Sequence, residues 1–173
     1  QVERLKALRQ FLTEASFAEA TRRRMAGDAS IRSYARLIRD EASFILMNSP
    51  RRPDGLPTYG GKSYSAAVHL AEDVKPFVAM AGGLHAHGLS APAIHHTDLD
   101  NGFLITEDFG GTLFVEGDPP QPIPERYEAA IDMLATLHHE SLPEALPLAP
   151  EVDYRSPVFD TDALLVELGL MLE

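Results

Sequence analysis

Arginines and one tight turn near the start of the chain have the chemistry of an anion-binding site. The turn consists of Gly27, Asp28, Ala29 and Ser30. Backbone N–H groups in such a turn form an anion-binding concavity, to which the Ser30 hydroxyl can add a donor. Arginine suits phosphate because its planar fork donates two parallel hydrogen bonds. Six arginines lie in the strand-like runs on either side of the turn: Arg22, Arg23, Arg24, Arg32, Arg36 and Arg39.

The same hairpin also has a purely structural interpretation. Gly-Asp-Ala-Ser is an ordinary turn sequence, and arginine commonly protects the exposed face and edge of a sheet. Of the six arginines, Arg32 is the best anion-binding candidate, because it follows the turn almost directly.

Three histidine pairs raise the question of a metal site: His85 with His87, His95 with His96, and His138 with His139. Neighbouring residues on a strand point to opposite faces, and residues two apart on a helix diverge by about 160°, given 3.6 residues per turn. Neither arrangement lets a pair chelate one ion by itself. We therefore predict no metal site.

Composition limits the class of protein. The 173 residues include no cysteine and carry a formal charge of −11 at pH 7. The acidic balance argues against nonspecific nucleic-acid binding, and no apolar run approaches the ~18 residues that a transmembrane helix needs. The absence of cysteine fits a cytoplasmic protein. The chain opens on Gln1 and stops at Glu173 inside a helical pattern, so we expect a fragment of a longer protein.

The first hundred residues predict a mixed α and β structure. Apolar spacing indicates a helix over residues 2–14, a strand hairpin over 20–26 and 31–39, and a third strand over 43–47. Residues 51–65 are rich in Pro and Gly and predict a mobile loop. A helix capped by Asp73 and ended by Gly88 follows, and then strands over 93–97 and 103–107.

The stretch from Gly102 to Gly111 begins as a buried strand and breaks at two acids and a Gly-Gly pair. Behind it we expect only helices. One begins at Pro124, and another is capped by Asp160 or Thr161 after a proline-rich connector over residues 143–157. The last helix should turn four leucines inward: Leu164, Leu165, Leu168 and Leu172. This order predicts two lobes joined by an extended connector, with a ligand cleft beside it.

Several motifs taken together carry a family resemblance. They are Gly-x-x-Ser at residues 27–30, Leu-Ile-Thr-Glu-Asp-Phe-Gly-Gly at 104–111 and Ala-Thr-Leu-His at 135–138. In this order they resemble the aminoglycoside phosphotransferase family, a branch of the protein-kinase-like fold. Residues 27–34 and 45–50 are most similar to the bacterial kinases that phosphorylate N-acetylmuramate and N-acetylglucosamine at the anomeric carbon.

The resemblance implies an α+β, protein-kinase-like fold. A five-stranded antiparallel N-lobe sheet with one inserted helix would occupy residues 1–106, a hinge 107–118, and the first helices of a truncated C-lobe 119–173. It further implies a cytoplasmic, ATP-dependent phosphotransferase acting on a hydroxyl of an amino sugar or an aminoglycoside-like alcohol.

The resemblance also implies roles for individual residues. Gly27, Asp28, Ala29, Ser30 and Arg32 would bind the phosphates of ATP. The Glu107 carbonyl and the Phe109 amide would bind adenine, with Thr106 at the back of the pocket. The catalytic aspartate and the Mg²⁺ ligands are expected beyond Glu173, so none is assigned within this chain.

Two departures leave an alternative open. Protein kinases pair a lysine on the third strand with a glutamate on the inserted helix, but residues 43–48 contain no lysine and residues 74–87 no glutamate. Arg32, Arg36 or a group not identified from the sequence would then have to hold the phosphates. Alternatively, the chain is a catalytically inactive nucleotide-binding module, or a scaffold fused to or associated with an ATPase subunit of a tRNA-modification complex.

Overall fold

The computed structural model describes residues 2–27, 31–51, 55–57, 60–158 and 160–170. It forms two compact units, one made of Gln1–Asp108 with Ala145–Glu173 and the other of Phe109–Glu144. In the described ranges, no helix combines the length and the apolar character needed to cross a membrane.

The first helix and the five-stranded sheet confirm the predicted architecture. Helix α1 spans Val2–Glu14. The strands are β1 (Thr21–Arg24), β2 (Ser33–Arg39), β3 (Ala42–Asn48), β4 (Ile94–Asp98) and β5 (Phe103–Glu107). All neighbours are antiparallel, in the order β1-β2-β3-β5-β4. Between β3 and β4 one helix was predicted, but the described residues form two: a single turn α2 (Tyr64–Ala67), and α3 (Lys75–Ala86).

The sheet has two chemically different faces, because successive side chains of a strand alternate. One face, here the α1 face, packs against α1 in a core that includes Leu8, Phe11, Leu37, Leu46 and Ile105. The other, the α3 face, carries Met47 and Leu104, which pack with Val74 and with Phe77 and Val78 of α3. The register Arg36↔Ile45↔Thr106 places these three residues on the α3 face as well.

Helix α3 begins later than predicted. Its N-cap is Val74, which has no side-chain capping bond, and Pro76 lies in the first turn. The Asp73 carboxylate instead accepts a hydrogen bond from the Lys75 N–H at 2.9 Å. The predicted end is confirmed. Gly88 has φ +73°, and the Gly88 and Leu89 amides donate to the carbonyls of His85 and Leu84, which satisfies the last turn.

Gly102 immediately precedes β5 and is hydrogen-bonded to Ser49, the residue after β3. Its carbonyl accepts a 2.9 Å hydrogen bond from the Ser49 N–H, and its φ is +67°. A Cβ at this position would lie 2.0 Å from the Ser49 carbonyl oxygen. Glycine is therefore required here both by backbone conformation and by close approach.

The unit Phe109–Glu144 is not purely helical, so that part of the prediction was wrong. A short hairpin of β6 (Val115–Glu116) and β7 (Gln121–Pro122) precedes α4, which spans Pro124–His139 and starts at the predicted proline. The Arg126 guanidinium donates to the Leu113 carbonyl, and the ring of Tyr127 packs edge-on against that of Phe114 at 5.3 Å.

Residues 145–155 form a second hairpin where a proline-rich connector was predicted. Its strands are β8 (Ala145–Ala149) and β9 (Val152–Arg155), with a register shift between Pro147 and Ala149. Leu146 is buried against Gly83 of α3, where a Cβ would come within 2.8 Å of the leucine side chain. The missing side chain of Gly83 thus lets the hairpin pack on α3, and both belong to the same unit.

The last helix, α5 (Thr161–Gly169), has the predicted cap but not the predicted orientation. The Asp160 carboxylate accepts from the Ala163 N–H at 2.9 Å. Ala163 is fully buried, whereas Leu164, Leu165 and Leu168 are exposed, and Leu172 lies outside the described residues. The buried side of α5 is therefore the side that carries Ala163, and not the side that carries the leucines. The predicted division of the chain into an N-lobe (residues 1–106), a hinge (107–118) and the start of a C-lobe (119–173) stays a prediction.

Candidate functional site

Strand β5 brings the chain out of the core at the predicted connector. Phe103, Leu104 and Ile105 have no exposed surface, and Thr106 is 4 % exposed. The next residue, Glu107, is already exposed. Three buried apolar residues thus fix the backbone direction of β5 up to its polar end at Thr106 and Glu107.

Glu107 is held by two hydrogen bonds to Ala93, the residue before β4. The Glu107 N–H donates to the Ala93 carbonyl at 2.8 Å, and the Glu107 carboxylate accepts from the Ala93 N–H at 3.1 Å. The Thr106 hydroxyl donates to the Glu107 carbonyl at 3.3 Å, a long hydrogen bond. The glutamate side chain therefore has a structural role, and the role of the Glu107 carbonyl in adenine binding stays a prediction.

Asp108 forms a bidentate ion pair with Arg36 of β2. Arg36 Nε lies 2.5 Å from one carboxylate oxygen and Nη2 donates to the other at 3.2 Å. The Asp108 side chain is only 3 % exposed, whereas that of Arg36 is 36 % exposed. The hydrogen bond and the nearby charge of Asp108 raise the pKa of Arg36. Arg36 thus keeps its charge at any ordinary pH, and the pair links β2 directly to the connector.

This ion pair bears on the choice between Arg32 and Arg36 as the phosphate-binding residue. Arg36 was one of two arginines that the sequence offered as an anchor, but its Nε and Nη2 donors are engaged by Asp108. Arg32 lies between the turn and β2, is half-buried and has interactions of its own. Arg32 therefore remains the better candidate, although its role stays a prediction.

The other predicted site residues are only partly described. Gly27 is exposed, with no atom close to where a Cβ would lie. Asp28, Ala29 and Ser30 lie outside the described residues. Phe109 is 55 % exposed and is the first residue of the second unit. Of the predicted set, the structure brings Thr106 and Glu107 together on one strand end and adds Arg36 and Asp108, which sequence reasoning had not paired.

The histidines of β4 correct one detail of the sequence interpretation. A register irregularity between Ile94 and His96 interrupts the alternation of side chains. Both rings contact the same aromatic pair: His95 packs on Phe44 at 5.2 Å and His96 on Phe17 at 6.0 Å. Over the ranges that the structure describes, no group of three or more His, Asp or Glu side chains is arranged to hold a metal ion.

Comparisons with known proteins agree with this architecture. A sequence model of the phosphotransferase enzyme family (APH) matches residues 21–168. An N-acetylmuramate/N-acetylglucosamine kinase of Caulobacter vibrioides is 37 % identical over 157 residues, covering 83 % of this chain and 42 % of the relative. A protein of the same name from Pseudomonas aeruginosa is 30 % identical over 148 residues, covering 84 % of this chain and 38 % of the relative. The chain spans about two fifths of the length of these relatives. Because the family match extends from β1 into α5, the chain belongs to the phosphotransferase enzyme family.

Proposed function

We propose that this chain is the nucleotide-binding part of an ATP-dependent kinase that phosphorylates an amino sugar, N-acetylmuramate or N-acetylglucosamine. The observation that carries the proposal is the 37 % identity to a kinase of that name over 157 residues, a span that includes most of the sheet and connector. An aminoglycoside-like alcohol is a further candidate acceptor, since the family resemblance extends to enzymes of that class.

In this proposal adenine binds along the backbone of the connector. The amino group of the base donates to the Glu107 carbonyl, and a ring nitrogen accepts from the Phe109 N–H. The Glu107 carbonyl accepts a long hydrogen bond from Thr106, at 3.3 Å, and a carbonyl oxygen can accept two such bonds. Within the described part of the chain, the Phe109 N–H has no backbone hydrogen-bond partner. Thr106, buried on the α3 face, limits the depth of the pocket.

The phosphates would lie toward the other end of β2, at the turn of residues 27–30. Backbone amides of the turn, the Ser30 hydroxyl and the Arg32 guanidinium would then supply donors to the phosphate oxygens. The family resemblance implies that the catalytic aspartate and the Mg²⁺ ligands lie beyond Glu173, so we assign neither within residues 1–173. The residues of this chain therefore bind and orient ATP in the proposed mechanism.

A specific observation favours a second candidate, a kinase-like module that binds nucleotide without transferring phosphate. Strand β3 carries no lysine and helix α3 no glutamate, and this pair normally positions the phosphates in protein kinases. Association with an ATPase subunit of a tRNA-modification complex belongs to the same alternative, and co-purification with such a subunit would test it.

The proposed adenine site is tested by calorimetric titration of ATP and ADP. Phe109→Pro removes the N–H donor without adding charge, and we expect it to lower the affinity for both ATP and ADP. A matched control, Phe114→Pro, removes an amide in the second unit outside the proposed contact. Equal affinities of the wild type and a folded Phe109→Pro variant would contradict the assignment.

Activity is tested separately from binding. The protein is incubated with labelled ATP, Mg²⁺ and, in separate reactions, N-acetylmuramate, N-acetylglucosamine and an aminoglycoside, and the phosphorylated product is counted. Residues 1–173 should bind ATP without turnover, and a longer protein that contains them should phosphorylate an amino sugar. Binding without turnover by that longer protein would favour the inactive module.

A further inference from the structure

A cleft of about 350 Å³ lies on the α1 face of the sheet, between α1 and the first three strands. Its walls include Leu5 and Leu8 of α1, Arg22 and Arg24 of β1, and Ala35 and Leu46 of β2 and β3. We propose that this cleft binds a small organic anion, one that joins a phosphate, sulfonate or carboxylate group to an apolar body. The proposal does not depend on the proposed kinase function.

The cleft lies on the face of the sheet opposite to that of Thr106. The register pairs Arg22 with Leu37 and Arg24 with Ala35, and both partners belong to the α1-face core. The arginine between them, Arg23, pairs with Arg36 and so belongs to the α3 face. A ligand in the cleft would therefore meet Arg22 and Arg24 but neither Arg23 nor Arg36.

The two arginines provide the anion-binding end. They are two residues apart on one strand, so their Cα atoms are separated by about 6.6 Å along it, and both side chains reach the same cleft. Over the described ranges, neither guanidinium group takes part in an ion pair or a side-chain hydrogen bond. In a chain with a net charge of −11, two unpaired guanidinium groups at one opening attract an anion to that place.

The interior of the cleft provides the apolar end. Leu8, Ala35 and Leu46 are buried, and Leu5, which is 57 % exposed, forms the outer apolar wall. A volume of about 350 Å³ is at the lower end of the range for small-molecule pockets, roughly 300–1,000 Å³. This size fits one small molecule and is too small for a protein segment of several residues. Ser33 and Asn48 add polar atoms to the lining.

Octyl phosphate is a suitable probe, because it combines one phosphate with one apolar chain. We expect it to bind the protein at one site, below its micelle concentration, in calorimetric titrations. Arg22→Gln and Arg24→Gln should each weaken binding by about tenfold, as expected for loss of a charge-assisted hydrogen bond. Leu5→Gln should also weaken binding, since it replaces an exposed part of the apolar wall. Amide chemical shifts of α1 and β1 should move on titration.

The matched control is Arg23→Gln, which removes the same charge from the same strand on its other face. It should bind octyl phosphate as the wild type does. The site assignment is wrong if Arg23→Gln weakens binding as much as Arg22→Gln does, or if ATP competes with the probe. It is also wrong if octyl glucoside, which is uncharged, or inorganic phosphate alone binds as tightly as octyl phosphate. Because Arg22, Arg24 and Leu5 are exposed, the variants should unfold at the same urea concentration as the wild type, which excludes misfolding as the cause.

Discussion

Replacing Gly102 with alanine should destabilise the protein far more than a methyl group suggests. The new Cβ would lie 2.0 Å from the carbonyl oxygen of Ser49 and 3.1 Å from its carbonyl carbon. Both are backbone atoms, so no change of side-chain rotamer can relieve the contact. The end of β3 must move away from the start of β5, which also disrupts the 2.9 Å hydrogen bond from the Ser49 N–H to the Gly102 carbonyl.

Two terms set the size of the effect. A left-handed backbone costs a residue other than glycine about 1–2 kcal/mol, and Gly102 has φ +67°. Forcing extra volume into a packed site typically costs about 1–3 kcal/mol. The free energy of unfolding should therefore fall by about 2–5 kcal/mol, a large part of the ~5–15 kcal/mol typical of natural proteins.

Gly88→Ala is the matched control. Gly88 also has a left-handed backbone, with φ +73°, but no atom lies within 4 Å of the position that a Cβ would take, so only the backbone term applies. Urea unfolding of both variants gives the difference, and hydrogen exchange at the Ser49 amide reports the local change. The reasoning fails if Gly102→Ala is no less stable than Gly88→Ala, or if the Ser49 amide keeps wild-type protection.

Three further predictions concern the connector, the core and the last helix. Arg36→Lys cannot reproduce the bidentate contact with Asp108, so it should lower the affinity for ATP measured by calorimetry. An unchanged affinity would show that the ion pair does not contribute to nucleotide binding. Leu37→Ala should lower the free energy of unfolding by about 2–5 kcal/mol, because Leu37 is 1 % exposed; a loss below that of an exposed leucine would contradict its place in the core. The hydrogen bond from the Ala163 N–H lowers the pKa of Asp160. The Asp160 carboxylate therefore stabilises the fold at pH values above the ordinary aspartate pKa, and this stabilisation is lost as the pH falls through the lowered pKa of Asp160. Asp160→Asn should keep the helix cap, whereas Asp160→Ala should lose it and unfold at a lower temperature at neutral pH. Thermal unfolding measured between about pH 2 and pH 7, the range over which carboxylates titrate, tests this.

Features that depend on neighbouring residues were predictable from the sequence. The bounds of α1, the proline at the start of α4 and the Asp160 cap each follow from patterns within one or two helical turns. The hairpin at residues 145–155 was missed because its strands contain proline and lack clear alternation; Pro147 is tolerated beside an irregularity in the register.

Long-range features were beyond local patterns. Arg36 and Asp108 are separated by 72 positions, and only the pairing of β2, β3 and β5 brings them together. The orientation of α5 was also unpredictable from periodicity, because its leucines surround most of the helix and burial of Ala163 depends on what packs there. At the candidate site, the roles of Thr106 and Glu107 stay predictions from the sequence, and the ion pair beside them was not predicted.

The pair between Arg36 and Asp108 also makes β2 a spacer of fixed length. Arg32, just before the strand, and Arg36 within it are four residues apart, or about 13 Å at 3.3 Å per residue. Because Arg36 is tied to the connector and β2 is paired on both sides, this distance cannot change without breaking strand pairing. A one-residue insertion between Arg32 and Arg36 would lengthen the spacing and turn Ala35 or Arg36 to the wrong face. If a nucleotide contacts both Arg32 and the connector, as proposed, the length of β2 would set how long that nucleotide must be.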